Sequence, residues 1–223
     1  PDGSKNWEFV NLGTPGESNN DTDDTDDTDD TDDTDTDTDD TDTVETEVVW
    51  VPAGSEWNYL DDGSDQGTTW IANDFNDSAW ESGAAPLGYG DAHVVTTVSY
   101  GDDSNAKHIT TYFRFSFEVD DLEGLSELEV HVLRDDAAVV YLNEEEIYRD
   151  NITNQTVEYD TYADAAMSDT DETTYFDTDV DTALLTEGVN YLAVEIHQAT
   201  SSSSDLGFDL ELRGVLETRS PQR

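Results

Sequence analysis

Short runs of aspartate are the residues of this sequence best suited to chemistry, because carboxylate oxygens are hard ligands of the kind that calcium takes. One run lies in the stretch 61–67, which reads Asp-Asp-Gly-Ser-Asp-Gln-Gly. Its carboxylates belong to Asp61, Asp62 and Asp65, and its two glycines allow a tight loop. The stretch predicts a calcium-binding loop, with an ordinary turn between strands as the alternative.

Two further sets of aspartates are candidate calcium ligands. Asp135 and Asp136 are adjacent and precede a predicted hairpin strand. The stretch 21–43 consists only of 14 Asp and 9 Thr, and it lacks the Gly with which a compact calcium loop turns. We therefore expect either cations bound along an extended chain or a solvated linker stretched by charge repulsion. The candidate ligands in this tract are Asp23, Asp24, Asp26 and Asp27.

Aromatic residues in or near predicted loops are candidate sugar contacts, because an exposed Trp or Tyr ring has an apolar face on which a pyranose can stack. The candidates are Trp57, Trp70, Trp80, Tyr89 and Tyr100, of which Trp57, Tyr89 and Tyr100 are predicted as the sugar contacts. Each of them could instead be an anchor in the core or in a loop.

No set of residues predicts catalysis. There is no cysteine, no serine in a strand–turn–helix elbow and no phosphate-binding loop. The four histidines, at 93, 108, 131 and 197, lie far apart without metal-ligand spacing. Pairs of carboxylates arise by chance among 56 acidic residues, so a glycosidase-like pair carries no information. We predict that the chain is not an enzyme.

Apolar and polar residues alternate from residue 44 onward, which is the pattern of half-buried β-strands. The clearest runs are 111–119, 127–134, 191–197 and 206–213, and a hairpin is predicted for 137–142 and 145–148 around Asn143 and Glu144. Helical turns are expected only near 76–80 and 181–185. Strands with one apolar face must pack as two sheets, so the pattern predicts an all-β sandwich.

One stretch resembles a known family. Asp74-Phe75-Asn76-Asp77-Ser78-Ala79-Trp80 is similar to the F-[DN]-D-S-x-W motif of galactose-binding-domain-like jelly rolls, which occur beside glycosidases and other secreted hydrolases. The stretches 83–91, 111–114, 133–143, 193–198 and 204–210 continue the pattern in order, so the resemblance covers roughly 50–216. It implies a two-sheet antiparallel jelly-roll sandwich that serves as an accessory module of larger exported proteins. Such modules are usually non-catalytic, some bind sugars and many bind calcium structurally.

The charge of the chain excludes several classes of partner. The net charge is −48, and residues 44–217 alone carry 39 acidic and 5 basic residues, or −34. Nucleic acids and anionic membrane surfaces need a basic footprint, so neither is expected as a partner. No apolar run is long enough for a membrane span. Such an acidic composition resembles proteins of very salty habitats, and the lack of cysteine is compatible with an extracellular or cell-surface location.

Composition divides the chain into four parts. Residues 1–20 form an N-terminal arm with a short strand at 7–12, residues 21–43 the acidic tract, residues 44–217 the β-sandwich domain and residues 218–223 a tail. The strand cannot fold alone, so it docks either on its own domain or on the sheet edge of a neighbour. Its candidate contact residues are Trp7, Phe9, Val10 and Leu12. The ends of the sequence suggest a mature fragment or one module of a longer protein.

Two functions follow as hypotheses. The first is a non-catalytic extracellular assembly module, the subunit of a filament, sheet or matrix, joined to copies of itself or to a larger extracellular protein. The joints would be the N-terminal strand and the calcium-binding tract. The alternative is a carbohydrate-binding accessory module of a secreted hydrolase, with glycans as partners and the tract as a linker.

Overall fold

The fold consists almost entirely of β-strands. A computed structural model describes residues 43–168 and 170–219. The described strands are β1 (Thr43–Val51), β2 (Glu56–Leu60), β3 (Glu81–Ala84), β4 (Leu87–Tyr89), β5 (Thr96–Thr97), β6 (Thr110–Val119), β7 (Leu125–Asp135), β8 (Ala137–Leu142), β9 (Glu145–Asp150), β10 (Tyr175–Asp179), β11 (Gly188–His197) and β12 (Leu206–Arg219). Three short 3₁₀ helices of the described ranges lie at Thr69–Ile71, Asp171–Thr173 and Thr182–Leu184.

The described strands form two six-stranded sheets. Sheet A has the order β10-β7-β12-β4-β5, and β1 also pairs with β12. Sheet B has the order β3-β2-β6-β11-β8-β9. Every pairing of these strands is antiparallel except that between β4 and β5. The predicted fold class, a two-sheet antiparallel β-sandwich, is confirmed.

The core lies between the inner faces of the two sheets, as the alternating patterns predict. Phe113 of β6, Val130 of β7 and Phe208 of β12 are fully buried and belong to one continuous apolar cluster. Phe113 and Phe208 meet across the sandwich with ring centroids 4.4 Å apart. Each such side chain contributes about 1.5–3 kcal/mol when it leaves water, so these alternating positions drive the two sheets together.

The predicted hairpin is present, and its turn has the expected backbone. β8 and β9 pair on either side of Asn143 and Glu144, whose φ angles are +49° and +77°. Two consecutive positive φ values are typical of the two-residue turn that matches strand twist. The predicted helical turn near 181–185 is the 3₁₀ helix Thr182–Leu184, capped by the Asp181 side chain.

Two expectations from the pattern are corrected. Residues 76–80 form a turn closed by the Trp80 N–H donating to the Asp77 carbonyl, and the nearby 3₁₀ helix is Thr69–Ile71 instead. The alternation also predicts that the outer phase of β6 and β11 faces solvent. In the structure Arg114 and Glu195, both on that phase, are 1% and 5% exposed, because long loops cover this face of sheet B.

Candidate functional site

The outer face of sheet B carries a second, smaller layer of aromatic packing. Trp70, from the first covering loop (residues 61–80), is buried against Tyr112 of β6 and Ala193 of β11. Its ring centroid lies 4.8 Å from that of Tyr112 and 5.9 Å from that of Tyr141 on β8. The loop is therefore fixed to the sheet by aromatic contacts, and a pocket on this face has a rigid floor.

Arg114 fastens the first covering loop to β6. Its Nε donates to Asp77 Oδ2 at 3.2 Å, one terminal nitrogen donates to the Trp70 carbonyl, and the other donates to the Ala72 carbonyl at 3.1 Å. A buried guanidinium needs such a set of acceptors, because an unpaired charge in the interior is costly. The Arg114 side chain thus fixes the backbone at Trp70 and Ala72.

The second covering loop (residues 151–168) is tied to the same face through buried polar groups. His197 Nδ1 lies 2.8 Å from the Thr161 carbonyl, to which it donates as N–H. Thr110 Oγ1 donates to the Tyr159 carbonyl at 2.6 Å. Ile152 and Ala163 pack against Val139 of β8 in a small apolar cluster. Both loops are therefore held on the sheet at several points, and they form the rims of a cleft between them.

The cleft encloses a cavity of about 520 Å³, which we call the outer-face pocket. This volume falls in the range of small-molecule sites, about 300–1,000 Å³. Four of its lining residues are aromatic and four are acidic; the lining is Asp65, Gly67, Thr68, Trp70, Ile71, Tyr112, Tyr141, Thr156, Val157, Glu158, Tyr159, Asp160 and Glu195.

The floor of the outer-face pocket contains a buried polar network. Glu195 Oε1 accepts a hydrogen bond from the Tyr141 hydroxyl at 3.0 Å, and Glu195 Oε2 lies 3.2 Å from His197 Nε2. Burial and the adjacent Glu195 carboxylate raise the pKa of Tyr141 above its ordinary value, so this hydroxyl stays a hydrogen-bond donor at neutral pH. None of the described residues that line the pocket is Lys, Arg or His. The arrangement offers ring faces for stacking and carboxylates that accept hydrogen bonds from hydroxyl groups.

The three predicted sugar contacts lie outside the outer-face pocket, whereas Trp70, which is also among the candidate aromatics, lines it. Trp57 is fully buried in the core, where its ring meets Phe208 at 5.0 Å, so it has no face for a sugar and this prediction is corrected. Tyr89 is 6% exposed and its ring packs edge-on against Tyr100, with centroids 5.1 Å apart. Tyr100 is 36% exposed, so of the three it alone offers an accessible ring. Lys107 Nζ lies 4.7 Å from the centroids of both tyrosine rings.

The predicted calcium loop at 61–67 is a series of local turns. Asp62 Oδ1 accepts from the Ser64 N–H at 2.9 Å and from the Ser64 hydroxyl at 2.5 Å, and Asp65 Oδ1 accepts from the Gly67 N–H at 2.8 Å. Asp61 Oδ2 accepts from the Ser99 N–H. These three carboxylates do not converge on one point among the described residues. Calcium at this loop stays a prediction, and the alternative of an ordinary turn accounts for the observed bonds.

The predicted pair Asp135 and Asp136 divides into two different environments. Asp136 accepts from the Met167 N–H at 2.7 Å, the Ala199 N–H at 2.7 Å and the Ser203 hydroxyl at 3.3 Å, so its carboxylate holds loops in place. Asp135 is equally buried, but neither of its carboxylate oxygens accepts a hydrogen bond from an N–H or O–H donor among the described residues.

Within the described part of the chain, one group of three acidic side chains has the spacing of metal ligands. One carboxylate oxygen each of Asp91, Glu172 and Asp205 lies within 4.8 Å of the others. The charges of Glu172 and Asp205 also act on the nearby Asp135 carboxylate. We call Asp91, Asp135, Glu172 and Asp205 the acidic cluster.

Sequence reasoning missed most of these residues. Asp91 and Asp205 fall in the stretches 83–91 and 204–210 that continue the family pattern and Glu172 does not, but nothing in an Asp-rich sequence indicates that the three come together. The sequence gives a weak indication that Glu195 and Tyr141 are covered. Both lie on the outer phase of their strands, and the other residues on that phase are also bulky or apolar. A strand that is apolar on both faces predicts a covered outer face.

Several predicted residues lie outside the described ranges. They are the tract ligands Asp23, Asp24, Asp26 and Asp27 and the arm residues Trp7, Phe9, Val10 and Leu12. The assembly hypothesis depends on these segments and stays a prediction. No helix among residues 43–168 and 170–219 has the length and apolarity needed to cross a membrane.

Comparisons with known proteins support the fold and show no activity. No protein-family model and no curated protein matches the sequence. Among solved structures, Bacteroides uniformis β-glucuronidase 2 bound to cyclophellitol-6-carboxylate aziridine is similar, with a TM-score of 0.50 and 15% identity over 76% of this chain and 18% of that one. A β-glucuronidase from glycoside hydrolase family 2 is similar to the same degree, with a TM-score of 0.50 and 15% identity, covering 75% of this chain and 18% of its own. The chain thus corresponds to less than a fifth of these enzymes.

Proposed function

We propose that this chain is a non-catalytic, carbohydrate-binding accessory module of a larger extracellular protein that acts on glycans. The observation that carries the proposal is the outer-face pocket, in which the partly exposed rings of Tyr141 and Tyr159 lie beside a floor that contains the buried Trp70, Tyr112 and Glu195. Aromatic faces combined with a few convergent hydrogen-bonding groups are typical of small-ligand sites. The proposal also assigns the sandwich to the galactose-binding-like jelly rolls, in line with the motif at 74–80.

The charge of the outer-face pocket narrows the ligand class. Asp65, Glu158, Asp160 and Glu195 contribute four carboxylates, and no described side chain in the lining contributes a cation. A uronic acid or a sulfated sugar would bring a negative charge next to these groups, at a cost that grows as water is excluded. We therefore propose neutral sugars or amino sugars as ligands, and glucuronic acid as a poor one.

The likeness to parts of β-glucuronidases supports the context of a larger protein. The matched region is 18% of those chains, which is the relation expected for one module of a multidomain enzyme. At 15% identity the likeness supports the fold alone, so the proposed sugar class comes from the pocket of this chain and not from the names of its neighbours.

A binding experiment on matched variants tests the sugar site. Isothermal titration with hits from a glycan array would compare the wild-type chain with Glu195→Gln and Tyr159→Ala. We expect each variant to weaken binding at least about tenfold, because a ligand hydroxyl loses its charged acceptor or a ring loses its stacking face. Tyr100→Ala is the control, since it removes an accessible ring outside the outer-face pocket.

Two results would contradict the proposal. One is sugar binding that is lost in Tyr100→Ala and retained in both pocket variants, which would move the site to Tyr100. The other is the absence of any glycan ligand for a folded wild-type chain. Hydrolysis of a bound glycan by the purified chain would overturn the non-catalytic part.

We also propose that the module binds calcium as a structural component. The acidic cluster supports this part, because carboxylate oxygens of three of its members lie within 4.8 Å of one another. Among the described residues, neither Asp91 nor Asp205 forms a salt bridge with a side chain of opposite charge. The cluster lies on sheet A and its loops, so cation binding and sugar binding are separate properties of this chain.

A further inference from the structure

Three carboxylates from distant segments converge at one end of sheet A, and the buried Asp135 carboxyl lies close to two of them. Asp91 follows β4, Asp135 ends β7, Glu172 lies in the 3₁₀ helix Asp171–Thr173, and Asp205 directly precedes β12. The 89–91 segment packs tightly on Asp205, since a Cβ added at Gly90 would lie 2.7 Å from the Asp205 Cβ. Gly90 also has a φ of +95°, which favours glycine. The close approach of these segments is therefore built into the backbone.

Asp135 provides an independent sign that a ligand belongs at this place. Asp135 is 1% exposed, and neither carboxylate oxygen accepts a hydrogen bond from an N–H or O–H donor among the described residues; the adjacent group within hydrogen-bonding reach is the Asp136 carboxyl. A buried ionised group without partners costs several kcal/mol or more, roughly the penalty of an unpaired charge. The adjacent Asp136 is a structural carboxylate by contrast, because two backbone N–H groups and one hydroxyl donate hydrogen bonds to it.

Other polar atoms around Asp135 are also buried without partners in the described part of the chain. They are Asp91 Oδ2, His93 Nε2 and the Tyr89 hydroxyl oxygen. Gly207 on β12 lies next to both His93 and Asp135, since a Cβ added there would be 3.5 Å from His93 Nε2 and 3.8 Å from the Asp135 Cβ. The glycine keeps this space open. A group of oxygens that lack donors is the arrangement that a cation would complete.

The basic side chains of the described ranges do not neutralise the site. None of the salt bridges among these residues includes Asp91, Asp135 or Asp205. Lys107, which lies over the Tyr89 ring, donates its ammonium protons to the Ser203 and Ser204 carbonyls. Burial and the charge of the adjacent Asp136 raise the pKa of Asp135 above its ordinary value, and Asp205 and Glu172 act on it in the same direction.

We propose that Asp91, Asp135, Glu172 and Asp205 bind one calcium ion that joins four segments of the domain. Carboxylate oxygens are hard ligands, and calcium accepts six to eight oxygens in flexible geometry. The Tyr89 hydroxyl and water complete the coordination, and His93 lies at the periphery. This inference rests on the cation part of the proposed function and is independent of the sugar part.

Terbium luminescence in the full-length chain tests the site directly. Tb³⁺ replaces Ca²⁺ at oxygen sites and emits when a neighbouring tyrosine or tryptophan is excited. Tyr89 is adjacent to the acidic cluster, whereas the stretch 21–43 contains no aromatic residue, so ions bound along that tract contribute little signal. We expect sensitised emission that Ca²⁺ displaces with a stoichiometry of one. Asp205→Asn should raise the Ca²⁺ concentration needed for this displacement at least about tenfold, while Asp74→Asn, at an exposed position outside the candidate calcium sites, should bind as the wild type does.

Thermal unfolding with and without calcium separates a ligand role from a structural one. We expect Asp135→Asn to abolish the rise of Tm with Ca²⁺ and to leave the calcium-free protein at least as stable as the wild type, because it replaces a buried carboxyl group that has no partner. Asp136→Asn is the matched control; it should lower Tm in both conditions and retain the calcium-dependent rise. A purely structural Asp135 would instead show the behaviour of Asp136.

The experiments distinguish a wrong assignment of this site from a wrong proposal that the chain binds calcium. If the wild-type chain binds Ca²⁺ and the Asp135 and Asp205 variants bind it equally well, the cation part of the proposed function stands and this site is wrong. If the wild-type chain shows neither displaceable terbium emission nor a calcium-dependent Tm, both are wrong. Binding of Zn²⁺ in preference to Ca²⁺, lost in His93→Ala, would overturn the assignment of calcium.

Discussion

At the scale of single residues, the position of the first covering loop on sheet B depends on the buried guanidinium of Arg114. Arg114 has three acceptors, from Asp77 and from the carbonyls of Trp70 and Ala72, and its side chain is 2% exposed. Few side chains have donors in a planar fork that can reach three acceptors at once. The residue therefore joins the position of Trp70 to the position of β6.

Arg114→Met should destabilise the domain by about 3 kcal/mol, because Asp77 and two carbonyls lose their donors. Urea unfolding followed by tryptophan fluorescence measures this change. Arg149→Met is the matched control, since Arg149 pairs with Glu146 at the surface and such pairs contribute about 0–1 kcal/mol. Equal effects of the two substitutions would contradict a special role for Arg114.

The Asp62 carboxylate should make a small contribution to stability that depends on pH. Hydrogen bonds from the Ser64 hydroxyl and N–H hold the pKa of Asp62 below its ordinary value. A lowered folded-state pKa stabilises the fold above the pKa of the unfolded chain, and the stabilisation is lost as the pH falls through the lowered value. Asp62→Ala should cost about 0.5 kcal/mol at pH 7, and the difference from wild type should vanish in strong acid.

At the scale of secondary-structure elements, the β8–β9 hairpin is tied to β11 through its turn. The Asn143 side chain donates to the Leu184 carbonyl at 2.8 Å and to Asn190 Oδ1 at 2.7 Å, and it accepts from the Tyr191 N–H at 3.0 Å. Asn is also tolerated at a positive φ angle better than most residues. One turn residue thus sets both the hairpin and its place in sheet B.

Asn143→Ala should cost about 2–3 kcal/mol, since it removes three hydrogen bonds and leaves Ala at a positive φ angle. Glu144→Gly, at the other turn position, should change stability by less than about 1 kcal/mol, because relief of backbone strain offsets the loss of the bond from the Asn73 N–H. Chemical denaturation of both variants provides the comparison. If Glu144→Gly stabilises the domain by more than Asn143→Ala destabilises it, backbone strain and not the side-chain bonds dominates this turn.

Prediction from sequence succeeded for the strands and was weaker for the sites. A strand pattern depends on residues close in sequence, whereas a site brings together residues that are far apart in sequence. The alternation around Phe113, Val130 and Leu210 depends on neighbours two residues away, so the inner faces of both sheets could be predicted. The burial of Trp70 and Glu195 depends on which loops cover which strands. Adjacency to Asp136 is enough to predict Asp135 as a ligand, but the acidic residues at 91, 172 and 205 come together only through the fold.

At the scale of the whole molecule, charge is the dominant feature. A net charge of −48 at pH 7 destabilises the compact state through self-repulsion. The few arginines are used in specific pairs, such as Arg134 with Asp150 and Arg213 with Glu129, and do not neutralise the surface. Origin in a very salty habitat stays a prediction from this composition.

The melting temperature should rise by several degrees between about 10 mM and about 1 M NaCl, because the screening length falls from about 30 Å to about 3 Å over that range. The measurement is thermal unfolding in chelator, so that calcium does not contribute. Sucrose at matched osmolality is the control for excluded-solute effects. Stability that is independent of NaCl would show that repulsion among the surface carboxylates is not a major term.

The pairing of β1 with β12 determines how the domain would respond to mechanical load. Thr43 and Arg219 are register partners, so the first and last described residues are neighbours, roughly 5 Å apart between Cα atoms. Tension applied through these two points acts across the strand pair and opens its hydrogen bonds one after another, as a zipper opens. A domain loaded in shear would have to break many bonds together. Under a pull at this edge, β1 should peel away at low force while the sandwich core remains closed.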